Sequence, residues 1–240
     1  MVSESAVKLS RRERLRQETI AEIKDVAREQ IAERGAAALS LGGVADKLGM
    51  TTPALYRYFA NRDALVTALI VDAYGSLAAA LEASGAESPE MDFGGRFQQM
   101  LVAYRRWAVA YPQQYNLMYG SPIAGYEAPR ERVLPAAARS LRLFVQLLHD
   151  ADRAGVLRIP APYQEPPVSL APVLDDMRLS LPDLDVQPAV LTLALMIWVR
   201  FQGFVWQELH GHLTAPILQT GELYHMEVVA LSQRLGLTVG

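Results

Sequence analysis

Residues 41–59 read Leu41-Gly42-Gly43-Val44-Ala45-Asp46-Lys47-Leu48-Gly49-Met50-Thr51-Thr52-Pro53-Ala54-Leu55-Tyr56-Arg57-Tyr58-Phe59. The spacing predicts two short helices joined by a tight turn. Ser40 is placed to cap a helix over 41–48, and Gly49 to end it in the left-handed conformation. Thr52 and Pro53 read as the N-cap and first residue of a second helix. Val44, Leu48, Met50 and Leu55 form an apolar seam between the two, and Ala45 is small where they cross. Thr51, Thr52, Pro53, Ala54, Tyr56 and Arg57 are left on the outer side. That is the layout of a helix-turn-helix whose second helix enters the DNA major groove. An ordinary hairpin in an all-α protein is the alternative reading of the same residues.

The flanks favour DNA. The arm from Lys8 to Arg16 holds five cations, Arg11 and Arg12 among them, and one acid. Such an arm suits phosphate tracking or the minor groove; a solvated terminus is the bland alternative. Asn61 is placed to cap a third helix with Arg62 in its first turn, a ready phosphate clamp. Residues 1–65 carry 11 basic and 9 acidic side chains, whereas the rest of the chain is net acidic and the whole has charge −3. Cation placement therefore matters more than the total.

Composition excludes several classes. The 240 residues are 51% apolar, enough for a sizeable core. There is no cysteine, which rules out disulfides, thiolate zinc sites and thiol redox chemistry. The first residues are polar and charged, unlike a secretory signal. The apolar run 189–199 is too short to span a bilayer. A soluble, cytoplasmic protein without a membrane partner is expected.

Helical periodicity dominates and no strand pattern is convincing, so the fold class is all-α. Expected helices cover about 12–34, 62–83, 97–110, 113–119, 133–154, 173–180, 187–211 and 218–235. Residues 85–95, 121–130 and 160–172 read as loops. The expected division is an N-terminal DNA-binding domain with a basic arm over 1–60, and a C-terminal effector-binding and dimerisation domain over 61–240. The helix over 187–211 is apolar nearly all round and must be buried on several sides. A two-fold operator needs two recognition helices, which favours a homodimer over a monomer with a central core helix. Leu191, Leu195, Val205, Leu209, Val228 and Leu231 are the expected interface.

Large side chains cluster on neighbouring turns at Tyr104, Trp107, Tyr111, Tyr115, Met118 and Tyr119, with Trp198 and Gln202 as facing residues. Aromatic walls with a few polar tips suit a pocket for a mainly apolar small molecule; plain core packing is the alternative. Enzyme readings are weak. His149-Asp150 lacks the further ligands that a phosphohydrolase needs. His210 and His212 point apart if helical, so a metal site with Glu208 or His225 is not expected. No phosphate loop, nucleophile elbow or carboxylate pair stands out. No enzyme activity, cofactor or metal is anticipated.

Residues 20–70 resemble the TetR family of bacterial transcriptional regulators. The run Leu55-Tyr56-Arg57-Tyr58-Phe59-Ala60-Asn61-Arg62-Asp63-Ala64-Leu65, after Val44-Ala45 and Leu48-Gly49, carries the resemblance. It implies a homodimer whose C-terminal helices bind a small effector, with Thr52, Pro53 and Tyr56 facing DNA and Arg62 on phosphate. Gly42 and Gly43 depart from members that place a base-reading side chain there. They offer only amides and cost the helix roughly 1 kcal/mol each relative to alanine. The segments around Tyr104–Tyr126 and Trp198–Gly211 resemble an actinobacterial subset, although Gln202 stands where that subset often has histidine. The resulting expectation is a ligand-responsive regulator, a repressor released from double-stranded operator DNA by a small molecule. A ligand-independent regulator, an activator, or a helical carrier or enzyme are the alternatives.

Overall fold

The computed structural model describes residues 10–86, 92–120, 123–211 and 221–238, and these are helical with no strand. Two compact units emerge, Met1–Leu69 with Ser121–Glu127, and Ile70–Gly120 with Ala128–Gly240. The boundary falls inside a long helix, later than the expected break after residue 60. The reason is the buried stretch Leu65-Val66-Thr67-Ala68-Leu69, which packs in the first unit.

In the first unit α1 (Arg11–Arg34) opens with a capping box. The Glu13 amide donates to Ser10 Oγ at 3.2 Å, and the Ser10 amide donates to the Glu13 carboxylate at 2.9 Å. The helix buries Ile23, Ala27 and Ile31 and stops at Gly35, whose φ is 80°. A single 3-10 turn, Ala36–Ala38, leads to α2 (Leu41–Lys47). Ser40 caps α2 as expected, accepting from the Gly43 amide at 3.1 Å. Gly49 takes φ 64° and Met50 closes the turn by donating to the Ala45 carbonyl at 2.9 Å. The next helix, α3 (Thr52–Leu55), starts one residue earlier than expected. Thr51 is its N-cap and makes no side-chain cap bond, because Pro53 fixes the first turn. Helical turns continue to Phe59, and Leu55 and Phe59 are buried. Asn61 caps α4 (Arg62–Ala86) by accepting from the Ala64 amide at 2.8 Å.

One element of this unit was not legible in the sequence. Tyr126, some sixty residues downstream, lies in the same unit, and its hydroxyl is 3.1 Å from Thr67 Oγ1. The segment was expected only to be irregular.

The second unit contains the later turns of α4 together with α5 (Phe93–Ala110), α6 (Pro112–Tyr119), α7 (Arg130–Arg153), α8 (Ala161–Gln164), α9 (Ala171–Leu179), α10 (Pro188–Leu209) and α11 (Glu222–Arg234). Helix α5 begins earlier than the periodicity predicts. Asp92 caps it, and Gly94 sits so close to the Leu237 and Thr238 backbone that a Cβ would lie 2.6 Å from it. Tyr111-Pro112 separates α5 from α6, as expected, and Gly155 ends the chain turn after α7 with φ 70°. Helix α7 tolerates Pro135 inside it. The expected last helix, 218–235, begins partly outside the described residues. Phe97, Tyr115, Leu147, Leu148, Leu191 and Phe201 are fully buried at the centre. Helices α4 and α10 are long and apolar enough to cross a membrane by length and composition. Half or more of each apolar window is buried inside the protein, as in a core helix.

Candidate DNA-recognition face and effector cavity

The turn after α2 leaves one face of α3 uncovered. Thr51, Pro53, Tyr56 and Arg57 are exposed, while Thr52 and Ala54 are half-buried. Tyr56 is 52% exposed although it is aromatic, in a helix that has Leu55 to anchor it. The N-terminal turns of α1 supply the charge beside it. Arg11, Arg12, Arg16 and Arg57 line one open groove with Leu15, Thr19 and Tyr58. Arg16 holds this groove in shape. Its guanidinium donates to the Arg57 carbonyl at 3.3 Å and lies 5.1 Å over the Tyr58 ring. Four cations beside an uncovered helix suit phosphates flanking a groove-bound helix. Arg16 lay in the basic arm but was not singled out from the sequence. Lys8 is outside the described residues.

Two expected DNA contacts are reassigned. Arg62 does not reach outward. Its Nε donates to the Leu39 carbonyl at 2.9 Å, and one terminal nitrogen donates to the carbonyls of Ala36 and Ala37 at 2.9 and 3.2 Å. The Ala36 carbonyl also closes the 3-10 turn by accepting from the Leu39 amide at 3.3 Å, so the guanidinium adds to that turn rather than replacing it. One edge of the guanidinium thus ties α4 to that corner, and the remaining terminal nitrogen lies 3.7 Å from the Asp63 carboxylate. Gly43 is also engaged. Its amide is spent on Ser40, and a Cβ there would lie 2.5 Å from the Gln30 amide nitrogen. Gln30 in turn accepts from the Ser40 amide at 2.9 Å, so Gly43 makes room for an α1–α2 brace. Gly42, by contrast, faces open space.

In the second unit most of the expected ligand residues are core. Tyr104, Trp107 and Tyr115 are buried, Met118 packs against the core, and Tyr111 is exposed at the helix break. Trp107 donates to Ser76 Oγ at 3.0 Å, and Tyr115 donates to the Gln202 backbone carbonyl at 2.8 Å. Thus Gln202 contributes its main chain to packing. Of the expected set, Tyr119 and Trp198 line a cavity. This cavity, of about 230 Å³, lies against α7 and α9. Its wall is Tyr74 of α4, Tyr119 of α6, Leu134, Ala137, Ala138, Ser140 and Leu141 of α7, Val173 and Met177 of α9 with Ser180 just beyond, and Leu195 and Trp198 of α10. Apart from Tyr74, the residues missed by sequence reasoning are mostly small or aliphatic. The run Ala136-Ala137-Ala138 on α7 was the available signal, because small side chains on a packed helix leave space.

The cavity's phenols are electrically neutral at physiological pH. Burial pushes Tyr119 well above the usual tyrosine range, and Tyr74 is raised by the same cause. Tyr119 stacks edge-on against Tyr74 and Trp198, with centroids 6.2 and 6.1 Å away. Tyr115, also raised by burial, is pushed up to about 12.

The expected dimer residues also need correction. Leu191, Val205, Val228 and Leu231 are buried within the subunit, and a second chain cannot touch them without opening the core. Leu195 lines the cavity and Leu209 packs against the core. The apolar side chains left outward are Met196 and Val199 of α10 and Leu223 and Met226 of α11. Arg200 of α10 pairs with Glu227 of α11 at 3.1 Å beside them. Among the described residues no group of three acidic, histidine or cysteine side chains is arranged to hold a metal. His212 lies outside the described residues, and His210 stacks on Trp206 at 4.4 Å.

A capped helix, a glycine turn and an uncovered second helix bordered by arginines define a helix-turn-helix DNA-binding protein. Comparison with known sequences identifies the family. Residues 23–69 match the description "Bacterial regulatory proteins, tetR family", and residues 97–231 match "Tetracyclin repressor-like, C-terminal domain". The chain is 30% identical over 211 residues to the HTH-type transcriptional regulators Rv1816 of Mycobacterium tuberculosis and Mb1846 of Mycobacterium bovis. That match covers 88% of this chain and 89% of each relative. The solved regulatory protein SCO4313 is 35% identical, with a TM-score of 0.71 over 92% of this chain and all of the other. The fatty acid degradation regulator FadR from Bacillus halodurans shares the fold at 14% identity and a TM-score of 0.60, over 87% of this chain and 97% of that one. The chain belongs to the TetR family and is a DNA-binding transcriptional regulator.

Proposed function

We propose that this regulator is a homodimeric repressor that leaves its operator when a small molecule occupies the α7–α9 cavity. The observation that carries the reading is the composition of α4. Its first turns bury Leu65, Val66 and Leu69 in the DNA-binding unit, and its later turns put Tyr74 into the cavity wall. A ligand that moves Tyr74 acts on a helix that the DNA-binding unit shares. Ligand and operator then oppose each other reciprocally, each weakening the other by the same factor.

In this reading Thr51, Thr52, Pro53 and Tyr56 read bases, while Arg11, Arg12, Arg16 and Arg57 sit on phosphates and Gly42 offers a close backbone approach. The uncovered residues Met196, Val199, Leu223 and Met226 form the subunit interface. A two-fold operator is engaged only by the pair.

The interface is the part of the reading most open to a direct test. Val199→Glu with Met226→Glu places four carboxylates in a two-fold contact and leaves the subunit core untouched. Light scattering is expected to give the monomer mass at micromolar protein, with unchanged helical circular dichroism. Operator affinity is expected to fall by roughly a hundredfold or more, because each half-site then binds alone. A variant that keeps the dimer mass contradicts this interface.

A further inference from the structure

We propose that the α7–α9 cavity receives an uncharged, mainly apolar molecule bearing one hydrogen-bond-accepting oxygen, which the Tyr119 hydroxyl holds. This rests on the reading above that the cavity is the effector site, and names the chemistry of what fills it.

The first observation is electrostatic. No acidic, basic or histidine side chain lines the cavity among the described residues. A carboxylate or ammonium group entering it gives up its hydration and finds no counter-charge. The cations beside the lining in sequence are already engaged. Arg139 pairs with Glu82, and Arg142 with Asp183 at 3.4 Å. An ionic ligand is therefore excluded by the cost of desolvation.

The second observation is the Tyr119 hydroxyl. It is buried, and its phenolic neighbour Tyr74 interacts with it without meeting it in good hydrogen-bonding geometry. The serine hydroxyls of the lining are spent. Ser140 donates to the Ala137 carbonyl at 3.0 Å, and Ser180 donates to the Asp176 carbonyl at 3.2 Å. A buried phenol without a partner is costly, and as a neutral phenol it has a proton to donate. The complement is a carbonyl or ether oxygen on the ligand.

The third observation is shape and access. A volume of about 230 Å³ is below the usual range for drug-sized ligands and suits only a compact molecule, such as two fused rings or a short chain. The rings of Trp198, Tyr74 and Tyr119 offer flat walls. Leu134 and Val173, each 44% exposed, carry the apolar surface out to solvent between α7 and α9. The α7–α9 pairing there, Arg130 to Asp176 at 3.1 Å, is itself solvent-exposed and contributes little to holding the helices together.

Two naphthalene dyes of similar size test the proposal on the intact protein. Prodan is uncharged and carries a propionyl carbonyl. 1-Anilinonaphthalene-8-sulfonate is anionic. Prodan is expected to bind once per subunit and at least about tenfold more tightly than the sulfonate. Tyr119→Phe is expected to weaken prodan about fivefold or more and to shift its emission further to the blue, leaving sulfonate binding unchanged. Ala138→Phe fills the cavity and is expected to abolish prodan binding. Melting curves confirm that both variants fold. The sulfonate binding as tightly as prodan, no detectable prodan binding, or prodan insensitive to both variants overturns the proposal. Anisotropy of operator DNA at saturating prodan separates this from the reading it rests on. Release of DNA supports both. Prodan held by Tyr119 without release leaves the chemical class standing and contradicts the effector role.

Discussion

Replacing Arg62 with alanine is expected to destabilise the DNA-binding unit by about 2–3 kcal/mol, because a charge-assisted donor to three carbonyls is lost. Of the three carbonyls, Ala36 keeps the Leu39 amide as a donor, while those of Ala37 and Leu39 lose the guanidinium. Operator binding falls as a consequence of unfolding. Two measurements separate this from loss of a phosphate contact. First, Arg62→Lys is expected to recover little, since an ammonium on a different stem cannot serve carbonyls in two directions; a phosphate clamp would be largely rescued by lysine. Second, the folded fraction is expected to keep the wild-type salt slope, whereas a lost phosphate contact lowers the slope by about one. Urea melts of the variants and binding titrations at several salt concentrations read both.

The second large effect lies in the other unit. Arg105 and Glu208 form a bidentate ion pair between α5 and α10, with only 21% and 16% of their side chains exposed. The guanidinium also sits 5.9 Å over the Tyr224 ring. Arg105→Met strands the carboxylate in a poorly hydrated place, and the expected cost is about 3 kcal/mol. Glu208→Met is expected to cost a similar amount, by stranding the guanidinium. Arg105→Met with Glu208→Met together is expected to recover most of the loss, because no uncompensated charge is left. Melting temperatures of the four proteins check this. A double variant as unstable as the sum of the singles contradicts the account. The pair also explains Gly221, where a Cβ would lie 2.3 Å from the Arg105 guanidinium carbon and the backbone φ is 72°.

Local chemistry was legible from the chain and long-range packing was not. Ser40, Gly49 and Asn61 act where the sequence placed them, because a cap or a left-handed turn is decided by residues within three or four positions. Tyr111-Pro112 breaks the helix for the same reason. The exposure of Tyr56 followed from Leu55 claiming the inward position. Arg62 was misassigned because its residue type and first-turn position fit both a phosphate and a set of carbonyls. Only the fold brings Ala36 and Leu39 within its reach.

The α7–α9 cavity shows the same limit. Tyr104, Trp107 and Tyr115 looked like pocket walls because they are large, but large apolar side chains fill space before they border it. The space is bordered instead by Ala137 and Ala138, which attract little notice in a sequence. The interface residues failed for a related reason. Leu191 and Val205 are among the most apolar positions of α10, and the subunit core takes them first. What α10 leaves outward is the less obvious pair Met196 and Val199.

The central claim is that the face formed by α3 and the arginines of α1 reads a two-fold DNA site. Selection of genomic fragments bound by the purified protein, followed by anisotropy titrations of the enriched duplex and of Tyr56→Ala and Arg57→Ala on it, tests this most directly. The account predicts one enriched motif with two-fold symmetry and half-sites about one helical turn apart. It predicts affinity that falls steeply with salt, Tyr56→Ala changing base preference, and Arg57→Ala weakening all sequences alike. Fragments with no common symmetric motif, or binding indifferent to both substitutions, would contradict it.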